Sequence, residues 1–181
     1  MFRYLAAALL TFGLLATPLL AQEVEKRIFT DDLGRKVEVP VHPQRIVSMH
    51  DLDITIPLIE LGAPPVASHG RMGLDGKPYL RSGLILTGFD FDNSGMSYVG
   101  SVTVDIEAVA AAKPDLIITE PGRTTSVEQL EKIAPTIVID NTVGSAPHIY
   151  ERLADLTGTK DRLAILDRRY RAQIEALKQV V

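Results

Sequence analysis

The sequence predicts an α/β fold: an open, mostly parallel, Rossmann-like sheet flanked by helices, with a long helix at the end. The apolar run at 116–118 (Leu-Ile-Ile) is short and unbroken, which is typical of a parallel strand buried on both faces. Just before it, Ile106, Val109 and Ala110 recur at helical spacing. The chain has 181 residues, 46% apolar and 23% charged, which is enough for one globular domain.

Strand and helix patterns alternate along the chain. We predict strands at 27–30, 36–39, 45–49, 66–68, 116–118 and 136–140. We predict helices at 51–61, 104–112, 126–134, 147–156 and 160–181. Thr103, Thr125 and Thr159 are the expected N-caps, with Thr125 and Glu128 forming a capping box. Pro57 should kink its helix or mark its true first turn.

A Gly-rich connection of 29 residues spans positions 69–97. Loops of this length are uncommon in compact domains and are often functional. One short element is expected within it, around 84–87.

Residues 1–21 have the pattern of a cleaved secretory signal. Arg3 supplies a positive start, an apolar run follows at 5–20, and Ala21 is the expected last residue before cleavage. An N-terminal membrane anchor is the alternative, although the run is shorter than the ~20 residues that a span needs. We therefore expect export and no stable membrane insertion after cleavage.

Composition and missing motifs exclude several classes of function. The chain has no cysteine, which excludes disulfides, thiolate metal sites and a lipid-modified cysteine. The net charge of −4 gives no reason to expect a nucleic-acid partner. The sequence shows no GxGxxG after a strand, no Walker A motif, no HExxH and no GxSxG. An enzyme is therefore not predicted, and an unrecognised α/β enzyme is kept only as a minor alternative.

Polar side chains that follow predicted strands are the candidate ligand contacts, because ligands of open α/β sheets bind at the carboxyl ends of the strands. Arg123 follows the strand at 116–118, and its guanidinium can form two hydrogen bonds with a carboxylate of an anionic ligand. The alternative for Arg123 is a surface ion pair with Glu120 or Glu128. Asn141 follows the strand at 136–140 and is a further candidate.

His50 and His69 follow two other predicted strands and are candidates for the same cleft. Two histidines at neighbouring strand ends could also ligate haem or a bare metal ion, which keeps a haem or metal-ion carrier as an alternative function. No resident metal site or cofactor is predicted.

Several motifs together resemble the N-terminal lobe of cluster A-II (class III) periplasmic substrate-binding proteins of ABC importers, which serve ferric siderophores, ferric citrate, haem and cobalamin. They are TDDLGR at 30–35, PQRIVS at 43–48, Val-Gly at 99–100, Ile-Glu at 106–107 and AKPDLII at 112–118. The resemblance covers about 27–181 but only about half of a family member's usual length.

The resemblance implies a periplasmic protein that captures a ferric siderophore or ferric citrate and delivers it to an inner-membrane ABC permease. It implies an N-terminal lobe at 22–158 and an interdomain helix at 159–181, with the second lobe absent from this chain. With one wall of the cleft, ligand binding is expected to be weak or absent, and a submicromolar affinity would contradict this expectation. The uncovered apolar face of the last helix should reduce solubility or favour self-association. Relatives place an arginine in the same loop as Arg123, and an arginine and aromatics in the long connection. Arg71, Arg81 and Tyr98 are thereby candidates.

In that family, carboxylates dock the binding protein onto arginines of the permease. Asp75, Asp90 and Asp92 are the candidates for this role in the present chain.

Overall fold

A five-stranded parallel sheet with helices on its faces forms the body of the protein, as the sequence predicts. The structure is a computed structural model and describes residues 24–180, so the predicted signal at 1–21 lies outside the described residues. The strands are β1 (Lys26–Thr30), β2 (Lys36–Pro40), β3 (Ile46–Ser48), β4 (Ala67–Ser68), β5 (Arg71–Met72), β6 (Pro78–Tyr79), β7 (Ser97–Tyr98), β8 (Leu116–Thr119) and β9 (Thr136–Val138). The helices are α1 (Ile56–Glu60), α2 (Gly83–Thr87), α3 (Phe91–Ser94), α4 (Ile106–Ala111), α5 (Val127–Leu130), α6 (Ser145–Thr157) and α7 (Lys160–Lys178).

The sheet has the strand order β7-β4-β3-β8-β9, and every neighbouring pair is parallel. Val47 of the central strand β3 pairs with Ala67 of β4 on one side and Ile117 of β8 on the other. β1 and β2 form the predicted antiparallel hairpin ahead of the sheet. All five parallel strands therefore end at one common edge.

Two hydrophobic layers lie on the two sides of the sheet. Ile46 and Ile118 face one layer together with residues of α1 and α6. Val47 and Ile117 face the other layer together with residues of α4 and α5. Successive strand residues point to opposite faces, and both sets are fully or almost fully buried. This burial explains why the strands appear in the sequence as unbroken apolar runs.

The connection at 69–97 is more ordered than the sequence predicts. It holds the β5–β6 hairpin and the short helices α2 and α3. Asp90 begins α3 with a capping box shared with Asn93, and the Asp90 carboxylate also accepts from Leu80 N–H. Local polar contacts rather than a long apolar pattern build these elements, so hydrophobic periodicity could not reveal them.

Two of the three predicted helix N-caps, those of α4 and α5, lie at other residues than expected. Asp105, not Thr103, caps α4, and its carboxylate accepts from Ala108 N–H at 3.0 Å. The helix cannot begin at Thr103 because residues 101–103 form a bend that is closed by an antiparallel bridge between Gly100 and Val104. Ser126, not Thr125, caps α5.

The capping box of α5 pairs Ser126 with Gln129, one position beyond the predicted pair Thr125 and Glu128. Thr159 is the N-cap of α7, but its side chain makes no capping hydrogen bond. Pro57 lies at the start of α1, so it marks the first turn as predicted; a π-helical segment (Asp51–Thr55) leads into it.

The last helix, α7, is largely uncovered. Leu163 and Leu166 pack against the core, whereas Tyr170 and Leu177 are about 60% exposed. Within residues 24–180, no helix is both long enough and apolar enough to cross a membrane.

Candidate functional site

The carboxyl edge of the sheet gathers most of the candidate side chains. His50 follows β3, His69 follows β4, and Glu120 and Arg123 follow β8. The parallel register that places these strand ends side by side also places these residues side by side. His50, His69 and Glu120 are buried there, each less than a tenth exposed.

Asp51 and Arg81 form a partly buried ion pair at this edge. The Asp51 side chain is fully buried, and its carboxylate accepts from Arg81 Nη2 at 2.7 Å, from Nε at 3.0 Å and from the backbone N–H at 3.1 Å. Burial raises the pKa of Asp51, but the neighbouring His69 ring and the hydrogen bonds from Arg81 outweigh it and hold the pKa well below its usual range. This ion pair links the 69–97 connection to the segment that follows β3.

Arg81 is therefore held by the protein, although the sequence makes it a candidate ligand contact. Besides the bonds to Asp51, Arg81 Nη2 lies 2.8 Å from His50 Nε2. A guanidinium has no acceptor, so the histidine nitrogen accepts this bond. In this arrangement Arg81 positions its neighbours.

Arg71 and Arg123 converge on one cavity of about 210 Å³ at the sheet edge. The cavity is lined by His69, Arg71, Ser101, Val102, Gly122, Arg123 and Thr124. The Nε of Arg71 is buried and has no hydrogen-bond partner within residues 24–180. A buried donor without a partner is costly, so an acceptor atom of a ligand that reached this nitrogen would be stabilising.

Arg123 is held at the cavity wall by a hydrogen bond from its Nη2 to the Met49 carbonyl oxygen at 2.7 Å. Among the described residues it forms no ion pair with Glu120 or Glu128, the surface partners considered from the sequence. Burial lowers the pKa of Arg123, the Glu120 charge opposes that shift, and the Arg71 charge adds to it. An arginine side chain ordinarily titrates far above neutral pH, so the Arg123 guanidinium stays charged at pH 7.

The two histidines are neighbours, and each ring has at least one nitrogen within hydrogen-bond distance of a protein group. Their rings stack with centroids 6.0 Å apart. His69 Nε2 lies 2.8 Å from the Ser101 carbonyl oxygen, and its Nδ1 lies 3.6 Å from Asp51 Oδ1. A shared metal or haem ligation by His50 and His69 has no supporting geometry among these contacts.

Asn141 and Tyr98 lie outside the arginine cavity. Asn141 Nδ2 donates to Asp53 Oδ2 at 2.9 Å, which places it beside the His50 end of the edge. Tyr98 lies on the outer strand β7 and packs edge-on against Phe91, with centroids 5.5 Å apart. Ligand contact by either residue stays a prediction.

A surface pocket with a volume of about 410 Å³ is lined by Asp75, Asp90 and Asp92 together with Lys77, Pro78, Tyr79 and Phe91. The three candidate docking carboxylates are thus close together, at a different place from the arginine cavity. Their role stays a prediction.

Sequence reasoning missed Asp51, Asp53 and Glu120 as members of the site. The available signal was their position, since Asp51 and Asp53 directly follow the His50 strand end and Glu120 follows β8. The pairing of Asp51 with a residue 30 positions away has no sequence signature.

The structure thus shows an α/β domain with a cationic cavity at the carboxyl edge of a parallel sheet. No family model matches the chain. The iron(3+)-hydroxamate-binding protein YxeB of Bacillus subtilis is 29% identical over 162 residues, which cover 89% of this chain and 45% of YxeB. The ferric enterobactin-binding periplasmic protein FepB of Escherichia coli O6:H1 is 31% identical over 186 residues, covering 94% of this chain and 56% of FepB.

Among solved structures, the FhuD protein from S. pseudintermedius is 26% identical, with a TM-score of 0.62, over 82% of this chain and 49% of that one. The homologues of this chain are thus siderophore-binding proteins, and the resemblance seen in the sequence is confirmed. The parallel α/β fold is confirmed with it. The chain spans between 32% and 56% of the length of the curated relatives it matches.

Proposed function

We propose that this chain provides one wall of a binding site for a ferric siderophore and acts in the periplasm as part of an ABC importer. The single observation that carries the proposal is the convergence of Arg71, Arg123 and His69 on one cavity at the carboxyl edge of the sheet. The named functions of the homologues, iron(3+)-hydroxamate and ferric enterobactin binding, point to the same class of ligand.

The charges of the cavity favour an anionic chelate. Two guanidinium groups face it, and among the described residues neither is neutralised by an ion pair. A guanidinium binds a carboxylate or a catecholate oxygen with charge-assisted hydrogen bonds, which are about twice as strong as neutral ones. The unpartnered Nε of Arg71 can supply one such bond. Ferric citrate fits this chemistry but has no support of its own from the relatives.

The proposed mechanism is capture and delivery without catalysis or a resident cofactor. The chelate would be held by the arginine cavity, and the loaded protein would dock on an inner-membrane permease through Asp75, Asp90 and Asp92. In this proposal residues 1–21 direct export, 22–158 form the binding lobe, and α7 belongs to a rigid connection that permits little closure.

The proposal is tested by titrating the purified chain with ferric siderophores by calorimetry. The panel is a ferric hydroxamate, a ferric catecholate, ferric citrate and each metal-free ligand. Because the chain spans about half the length of its relatives, the protein concentration should be high enough to detect a millimolar dissociation constant. We expect saturable binding of a ferric chelate that is weakened at least tenfold by Arg123→Ala.

Arg168→Ala is the matched control, because Arg168 is exposed on α7 and its loss changes the net charge equally. Equal weakening by both variants would show that only net charge matters and would contradict a site at Arg123. Absence of saturable binding by any ferric chelate would contradict the proposal for this chain.

A further inference from the structure

A second group of donor atoms lies next to the arginine cavity. His50 Nδ1 is 3.1 Å from Glu120 Oε1 and 3.4 Å from Asp53 Oδ2, and one ligand atom from each residue lies within 4.8 Å of the others. We propose that His50, Asp53 and Glu120 bind a first-row divalent transition metal ion. This site does not depend on the proposed capture of a siderophore.

The spacing of the donor atoms suits such an ion. Zinc binds imidazole nitrogen and carboxylate oxygen at about 2.0–2.2 Å, and tetrahedral ligands at that distance lie roughly 3.3–3.5 Å apart. The two distances from His50 Nδ1 are close to this range. One nitrogen and two carboxylate oxygens form a donor set that accepts zinc, manganese, iron(II) or cobalt. The Asp53 side chain is 29% exposed, which leaves a path for the ion and for a water ligand.

The buried Glu120 carboxylate favours the binding of a cation. Its side chain is only 7% exposed, and Oε1 is buried without a hydrogen-bond partner among residues 24–180. The neighbouring guanidinium groups are engaged elsewhere, Arg81 by Asp51 and Arg123 by the Met49 carbonyl. A buried carboxylate oxygen without a hydrogen-bond partner is unfavourable, and a metal ion would compensate both Glu120 and Asp53.

Metal binding and Arg81 should compete for His50. Arg81 Nη2 lies 2.8 Å from His50 Nε2, and the Asp53 backbone N–H lies 3.1 Å from His50 Nδ1, so each ring nitrogen already has a donor beside it. A metal ion on Nδ1 displaces the Asp53 N–H and requires the single ring proton to lie on Nε2, so the Arg81 N–H must turn away. Arg81 stays anchored because Asp51 holds its Nε. Weakening the Arg81 contact should therefore increase the affinity for metal.

The test uses the full chain, treated with a chelator and dialysed, and no siderophore. Zinc affinity is measured by competition with a chromophoric chelator, and cobalt(II) reports ligand number through its visible absorption. We expect one ion per chain. Glu120→Gln and Asp53→Asn should each weaken binding at least tenfold, since losing even an outer-shell partner of a metal costs about 10–100-fold. Arg81→Gln should tighten it.

Glu128→Gln and His42→Gln are the matched controls, because both residues are exposed and carry the same groups. Equal loss of zinc in controls and site variants would overturn the proposal. An absence of zinc binding would also overturn the proposal. In that case a proton shared between His50 and Glu120 would take the place of the metal ion. Asp53 is partly exposed, so its variant stays informative if Glu120→Gln does not fold. Arg123→Ala removes a positive charge that interacts with Glu120 and so should not weaken zinc binding, although it should weaken siderophore binding; this separates the two results.

Discussion

The ion pair between Asp51 and Arg81 should contribute measurably to stability, and Arg81→Ala is predicted to lower the free energy of unfolding by about 2–3 kcal/mol. The variant removes the bonds from Nε and Nη2 and keeps the backbone N–H bond to the fully buried carboxylate. Breaking a buried pair from one side costs about 3–5 kcal/mol. The Arg81 side chain is 33% exposed, so water can partly solvate the remaining carboxylate and lower the cost.

Urea unfolding followed by circular dichroism measures this change, and the melting temperature should fall by about 4–12 °C for a chain of this size. Arg168→Ala, an exposed arginine on α7, is the control and should stay within about 0.5 kcal/mol of the parent. A double-mutant cycle with Asp51→Asn isolates the pairwise term. The reasoning is refuted if Arg81→Ala and Arg168→Ala unfold alike, or if the two changes at the pair are additive.

The same pair gives a pH dependence with a defined sign. The net effect of its surroundings holds the pKa of Asp51 below the value of about 3.9 that applies in the unfolded chain. Its stabilisation is therefore present above that unfolded value and is lost as the pH falls through the folded value. The difference in stability between the parent and Asp51→Asn should shrink below about pH 4.

Three further changes test local features of the fold, each by urea unfolding. Ser126→Ala should lower the free energy of unfolding by about 1 kcal/mol through loss of the α5 cap, whereas Thr125→Ala should be nearly neutral. A larger loss in Thr125→Ala than in Ser126→Ala would show that Thr125, the cap expected from the sequence, is the one that caps α5. Leu153→Ala should cost about 2–5 kcal/mol because Leu153 is fully buried, while Leu177→Ala, 62% exposed, should cost less than about 0.5 kcal/mol. Gly100→Ala should cost about 1–3 kcal/mol, since φ is +110° there and a Cβ would overlap a backbone oxygen of the following turn; an unchanged midpoint would contradict this.

The central sheet could be predicted because burial on both faces leaves a direct trace in the sequence. The run at 116–118 and the apolar residues at 46 and 47 mark β8 and β3 without any long-range information. Cap positions could not be fixed to one residue because Thr103 and Asp105, or Thr125 and Ser126, are all acceptable caps. At α4 a local turn, closed by the bridge between Gly100 and Val104, leaves Asp105 as the cap.

The site could be predicted only in part, for a similar reason. Position after a strand identified His50, His69 and Arg123, because parallel strands bring their carboxyl ends together. The hydrogen-bond partner of each side chain depends on how the 69–97 connection folds. Polar contacts hold that connection in place, and its sequence has no hydrophobic periodicity from which the fold could be predicted. The assignment of Arg81 to Asp51 could not be obtained from the sequence for this reason.

The central claim is that the arginine cavity binds a siderophore complex, and the most direct test is to map the contact on the protein. Gallium(III) replaces iron(III) in siderophores without broadening NMR signals, so amide shifts of the chain can be followed during a titration. The account predicts saturable shifts concentrated at His69, Arg71, Ser101, Gly122 and Arg123, with the metal-free siderophore giving much smaller ones. Shifts confined to α7, or spread evenly over the surface, would contradict it.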